Sequence, residues 1–312
     1  AGVSEYRSNP RMGFGMSTKV PSLPWAARLG ASWYLDWSVT PVRSFQKPET
    51  WQMVRVSPSC INPTQDYIRW FALHYPGQVW LIGNEPDVIW QDNTPPEEYA
   101  RIYHDLYTLI KNIDPNAVIS AGGIAQATPL RLEYLDRVLK AYRDAYGEAM
   151  PVDLWNIHGY VLREERGSWG VEIPPGLNAD HGRVYEIEDH GRLDLFEEQI
   201  GAVRTWMAAN GYQNTPLALT EFGILMPAEY GYPPERIAGY LRDTFNWLST
   251  AVDSQTGDPA DGYHLVQRWA WFSLSDNVYP VADLADLRSA ELTLLGQAFQ
   301  EAASAQPASS GQ

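Results

Sequence analysis

The chain has 312 residues, a formal net charge of −15 and a pI near 4.8. That balance excludes nucleic acid and anionic membrane as partners, because both are held by Lys/Arg patches. The 45% apolar and 20% charged residues are those of a globular protein, long enough for one α/β barrel of ~250 residues, and no apolar run approaches the ~20 residues of a membrane-spanning helix.

Short apolar runs alternate with helical stripes along the whole chain. Candidate strands are 13–16, 31–35, 52–56, 79–83, 117–121, 154–158, 217–221 and 266–271. Most are apolar without alternation, as strands buried on both faces are. Weak helix signals lie at 22–29 and 290–302, and 39–50 has no assigned element. Asn62-Pro63-Thr64-Gln65 opens a helix that ends near Gly77. Thr94-Pro95-Pro96-Glu97 reads as a capping box with Pro in the first turn, followed by Tyr99, Ile102, Tyr103, Leu106, Leu109 and Ile110 on one face. Further stripes follow Thr128-Pro129, start near Leu193 and stop at Asn210-Gly211, and follow Pro233-Pro234. Eight strands with interleaved helices predict a single (β/α)₈ barrel over 1–301 with a flexible Ala/Ser/Gln tail at 302–312. A doubly wound open sheet is the second arrangement, but no Gly-rich phosphate fingerprint follows the first strand. The thirty residues after His158 carry no helical stripe, and a loop of that length at a strand end is expected to wall a site. The chain starts at Ala1 rather than Met, which reads as an upstream segment removed, a signal peptide or a boundary. Cys60 is alone, which excludes an intramolecular disulfide, and reads as a small buried apolar side chain.

The most informative segment is Trp80-Leu81-Ile82-Gly83-Asn84-Glu85-Pro86-Asp87. An apolar strand ends in Asn-Glu, and Pro86 stops it from continuing within a sheet. Leu217-Ala218-Leu219-Thr220-Glu221-Phe222-Gly223 does the same 136 residues later. These are the fourth and seventh strands, on opposite sides of an eight-strand ring, so both glutamates project into one mouth. Glycoside hydrolysis needs such a pair, one carboxylic acid and one carboxylate. His158 ends the sixth strand beside that of Glu221, where it can orient or tune that carboxylate, and Tyr160 follows it. Trp271 ends the eighth strand and would make a sugar platform; Trp269, two residues back, shares its face, so one of the two is expected to be plain core, with Trp271 the ligand contact. Asp36 and Trp37, with Trp33, end the second strand, and Gln126 follows the fifth. Arg55, on the third, is expected to pair with a site carboxylate, because an unpaired Arg in a barrel is costly. The 13 Trp and 18 Tyr also supply stacking surfaces for a neutral sugar.

Other chemistries find no support. The six His form no His-Glu-x-x-His. His181 and His190, near Glu186, Glu188 and Asp189, read as a solvated acidic loop rather than a cation site. No Gly-x-Ser-x-Gly elbow or P-loop is present, and neither a metal nor a cofactor is expected.

Gly83-Asn84-Glu85-Pro86 and Thr220-Glu221-Phe222-Gly223 resemble the motifs of the clan A glycoside hydrolases, which are (β/α)₈ barrels. Within the clan, Asn84-Glu85-Pro86-Asp87, His158-Gly159-Tyr160 and Arg268-Trp269-Ala270-Trp271-Phe272 are similar to the family 128 β-1,3-glucanases; family 39 shares the Gly-Asn-Glu-Pro motif. The resemblance spans 79–272. It implies a retaining β-glycosidase with Glu85 as acid/base, Glu221 as nucleophile and Asn84 on the sugar 2-hydroxyl. β-1,3-Glucan follows from the resemblance alone; β-1,4-glucan, mannan and xyloside are alternatives, as is a non-catalytic carbohydrate-binding barrel. A glycan substrate implies a secreted or cell-surface protein.

Overall fold

The structure is a computed structural model and describes residues 6–305. Its centre is a barrel of eight parallel strands: β1 (Asn9–Gly15), β2 (Ala31–Leu35), β3 (Glu49–Ser57), β5 (Val79–Asn84), β6 (Val118–Gly123), β7 (Trp155–His158), β8 (Leu217–Phe222) and β9 (Arg268–Trp271). They pair in the order β6-β5-β3-β2-β1-β9-β8-β7. Isolated bridges Ser120–Leu154 and Ile124–Ile157 close β6 onto β7. The (β/α)₈ expectation is met, and all eight predicted strands are present.

The helices are α1 (Ser22–Leu29), α2 (Gln65–His74), α3 (Pro96–Ile113), α4 (Pro129–Tyr146), α5 (Leu193–Ala209), α6 (Pro234–Thr250) and α7 (Leu294–Ser304). Thr64 and Thr128 cap α2 and α4 by accepting from the N–H groups of Tyr67 and Arg131, each at 3.4 Å. The expected capping box at Thr94 does not form: its hydroxyl donates to the carbonyls of Val56 and Asp92 at 3.2 and 3.0 Å, and α3 opens on prolines. No helix lies between β2 and β3. Two features had no sequence signal: β4 (Cys60–Asn62), which folds back antiparallel on β3, and the two-residue hairpin β10 (Ala285–Asp286) with β11 (Glu291–Leu292). Cys60 is exposed in β4 rather than buried. The helix α7 runs to Ser304, three residues into the segment expected as a tail, and residues 306–312 lie outside the described residues. Among the described residues no helix is long and apolar enough to cross a membrane.

Each strand divides its side chains between two cores. Outward residues such as Trp80, Ile82, Trp155, Leu217, Leu219, Trp269 and Trp271 pack against the helices. Inward residues Trp33, Leu35, Trp51, Met53, Val79, Leu81, Leu154, Ala218 and Ala270 fill the lumen, with Trp33 stacked on Trp51 at 4.0 Å. The two cores explain why most strands read as unbroken apolar runs: both faces are covered.

Candidate active site

At the C-terminal end of the lumen the inward positions of β5, β7 and β8 carry Glu85, His158 and Glu221. Glu85 follows Asn84 with a left-handed backbone (φ 46°), its N–H donating to the Gly123 carbonyl at 2.9 Å. A non-glycine residue there costs about 1–3 kcal/mol, a strain that concentrates at functional sites. Glu221 reaches the lumen by another route. Ala218 faces inward and Leu217 and Leu219 outward, so strict alternation would send Glu221 outward. The pairing of β8 shifts register between Leu219 and Phe222, and this bulge turns Glu221 in and Phe222 out.

One donor atom from each of Glu85, His158 and Glu221 lies within 4.8 Å of the others, and all three residues are buried. His158 Nδ1 lies 2.8 Å from Glu85 Oε1, and its Nε2 lies 3.6 Å from Glu221 Oε1. The sequence reading attached His158 to Glu221; its hydrogen bond is instead to Glu85, and Nε2 has no hydrogen-bond partner among the described residues. Glu221 is held by two donors, Trp37 Nε1 at 2.6 Å on Oε1 and the Tyr160 hydroxyl at 3.3 Å on Oε2. Burial holds the Glu221 pKa above the usual carboxylate range and the charge of Glu85 adds to it, while His158, Trp37 and Tyr160 pull it back. Burial also works against a charge on His158, but the carboxylates of Glu221 and Glu85 outweigh it and hold its pKa above the ordinary histidine value. No other group of His, Cys, Asp and Glu among the described residues gathers closely enough to hold an ion; in particular His190 is buried, accepts from the Leu225 N–H through Nε2, and burial lowers its pKa to about 4.

Two glycines make room for this arrangement. A Cβ at Gly15 would lie 2.7 Å from the Trp37 ring, so a glycine on β1 lets that ring reach Glu221. A Cβ at Gly123 would lie 2.6 Å from His158 Nε2. Neither role was read from the sequence, although Gly13-Phe14-Gly15 and Gly122-Gly123 inside strands are the usual sign of a close approach.

The remaining expected site residues divide into those beside the carboxylates and those that support them. Trp37 itself has a left-handed backbone (φ 55°) and meets Phe272 edge-on at 5.7 Å. Asp36 shapes that turn: it accepts from Ser38 N at 3.2 Å, Ser38 Oγ at 2.7 Å and Thr40 Oγ1 at 3.0 Å. Asn84 donates through Nδ2 to Gln91 at 3.4 Å, and its buried Oδ1 has no partner among the described residues. Arg55 pairs with Asp92 at 2.6 Å, not with either site carboxylate, and Asp92 accepts the N–H groups of Asn84 and Val56 at 2.7 and 3.0 Å. Arg55 thus braces the turn that ends in Glu85. Gln126 is fully buried and clips the long loop, exchanging hydrogen bonds of 2.8 and 2.9 Å with the Leu162 backbone. Trp271 is fully buried, donates to the Ala282 carbonyl at 2.9 Å and packs on Phe222, Tyr240 and Phe245. It presents no face to a sugar. The reason is the strand period: Ala270 takes the inward position, so Trp269 and Trp271 share the outer face.

A buried ion network passed unread in the sequence. Arg131, in the first turn of α4, bonds the Asp87 carboxylate and carbonyl, Glu164 Oε1 (2.8 Å), and the carbonyls of Val171 (2.9 Å) and Glu172 (2.8 Å). It ties the turn after Glu85 to the long loop, whose Leu162 and Val171 pack over Val88, Ala125 and Tyr160. The expectation that this loop walls the mouth accords with that packing.

No family model and no curated protein matches the chain. Solved structures do. A subgroup II endo-β-1,3-glucanase of glycoside hydrolase family 128 from Sorangium cellulosum superposes with a TM-score of 0.63 at 18% identity, over 94% of this chain and 98% of that one. A subgroup I endo-β-1,3-glucanase from Amycolatopsis mediterranei, a glutamate-to-glutamine variant with laminarihexaose, gives 0.58 at 17% over 94% and 99%. A subgroup III curdlan-specific exo-β-1,3-glucanase from Blastomyces gilchristii with glucose gives 0.60 at 16% over 94% and 99%. This chain therefore shares its (β/α)₈ fold with the family 128 glucanases over 94% of its length.

Proposed function

We propose that the chain is a retaining β-glycosidase acting on a neutral polysaccharide, with Glu85 as acid/base and Glu221 as nucleophile. One observation carries the reading: donor atoms of the two glutamates, from the end of β5 and from β8, lie within 4.8 Å of each other across the mouth of the lumen. Retaining pairs stand ~5–5.5 Å apart, whereas ~6.5–9.5 Å is needed to seat a water for inversion. In the first step the Glu85 proton passes to the leaving glycosidic oxygen as Glu221 bonds the anomeric carbon. In the second, Glu85 takes a proton from water as the water oxygen displaces Glu221. The donors from Trp37 and Tyr160 favour the ionised Glu221 that attack requires.

β-1,3-Glucan is the favoured substrate, since the structures of the same fold are named β-1,3-glucanases. A net charge of −15 suits a neutral glycan, and a polysaccharide substrate favours a secreted or cell-surface location. The test is product release from β-1,3-glucan, β-1,4-glucan, mannan and xylan, with NMR of the first-formed anomer. Release of a β-anomer from β-1,3-glucan is expected. An α-anomer overturns the double displacement, and sugar binding without turnover leaves a carbohydrate-binding barrel.

A further inference from the structure

The two glutamates are chemically alike, yet one must be protonated and the other ionised at the same moment. His158 lies between them. Its Nδ1 meets Glu85 at 2.8 Å, its Nε2 points to Glu221 at 3.6 Å with no other partner, and the ring is fully buried. The groups facing it are few. Glu85 follows β5, with Asp87 behind it tied to Arg131; Glu221 comes from β8; Tyr160 meets it edge-on at 6.1 Å from its own segment; on β6, Gly123 lies against Nε2.

We infer that His158 is the positioning residue that assigns the two carboxylate roles, sharing one proton with Glu85 while its Nε2–H faces Glu221. This rests on the glycosidase reading above and deepens it. With the proton on Glu85, the neutral ring accepts the Glu85 O–H at Nδ1 and keeps Nε2–H toward Glu221. With the proton on Nδ1, the ring is a cation between two carboxylates. The two forms have the same proton count and need no change of side-chain rotamer. In both forms Nε2–H favours an ionised Glu221, and in the neutral form the Nδ1 lone pair accepts the Glu85 O–H. When the leaving oxygen takes the Glu85 proton, Glu221 becomes an ester and Glu85 a carboxylate beside the Nδ1 lone pair. That contact is repulsive and makes Glu85 a stronger base for the incoming water. Water then returns a proton to Glu85 and its oxygen bonds the anomeric carbon as Glu221 departs, so the original state is restored without a co-reactant.

The test is the pH profile of kcat/KM for wild type and His158→Gln, with the fold of each checked by thermal melt. The alkaline limb, loss of the shared proton, is expected to move down by about one pH unit or more, with KM changed less than about twofold. A limb that stays in place in a folded His158→Gln overturns the proposal. Nitrogen-15 NMR of histidine-labelled protein gives a readout independent of turnover. The resonance absent from His158→Gln is expected to show a protonated Nε2 and a hydrogen-bonded Nδ1, and to titrate at lower pH in Glu85→Gln. Titration unaffected by Glu85→Gln also overturns the proposal. If the NMR signature is present but no glycan is cleaved, the glycosidase reading fails and the proton sharing stands.

Discussion

Along the same eight strands, the two ends of the lumen are filled with opposite chemistry. In the N-terminal half Trp33 stacks on Trp51 at 4.0 Å among Leu35, Met53, Leu81 and Ala218, and Arg268 lies over Trp51 while pairing with Glu49 at 2.6 Å. Further along come Glu85, His158 and Glu221, buried almost as deeply. Burial stabilises the first group and opposes the charges of the second. The lower end therefore carries stability, whereas the upper end holds charge at a cost to it.

The sharpest way to break this contrast is to substitute one residue at each end. Glu221→Gln is expected to lower kcat by at least about 10³-fold while the melting temperature stays level or rises, because a buried charge is removed. Reducing-sugar release and calorimetric glycan binding check it; activity within tenfold of wild type would refute the nucleophile role. Trp33→Ala is expected to do the reverse, costing about 3–5 kcal/mol of stability with turnover per folded molecule unchanged, as read by denaturant titration and active-site-normalised rates. A finer probe is Trp37→Phe, which keeps the ring but loses the 2.6 Å hydrogen bond to Glu221. A bond to a charged group is worth about 1.5–3 kcal/mol, so a drop of about 10–100-fold in kcat is expected with little change in melting temperature.

The smallest effect tests the polar rim. Half-buried Asp283, on the loop after β9, accepts the Asp276 N–H at 2.7 Å, and burial pushes its pKa up to about 7. Because that folded-state pKa is raised, the stability linked to this proton is full below about pH 4 and lost as pH rises through 7. Asp283→Asn removes the loss: its melting temperature is expected to match wild type near pH 4 and exceed it by about 1–2 °C at pH 8. Parallel curves across that range would refute the shift.

Strand identities were legible because each barrel strand is buried on both faces and bounded by Gly, Pro or polar turns. Glu85 and Glu221 were legible as carboxylates at the ends of apolar runs, and His158, Tyr160 and Trp37 as polar or aromatic groups at neighbouring ends. What failed was the direction of side chains. Trp271 was expected in the cleft and lies under α6, and Arg55 was expected on a site carboxylate and braces Asp92. Arg131, Asp87 and Glu164 lie far apart in sequence, and only the packing of α4 against the long loop brings them together.

By itself, then, the order of residues determined the alternation of strands and helices and the two strand ends that carry glutamate, because hydrophobic period and turn chemistry are local. The tertiary structure decided which way each side chain points. The β8 bulge turns Glu221 into the lumen, the glycines at 15 and 123 admit Trp37 and His158, and closure of the ring places His158 between two carboxylates. Those outcomes depend on register and on contacts between residues distant in the chain, which no local pattern encodes.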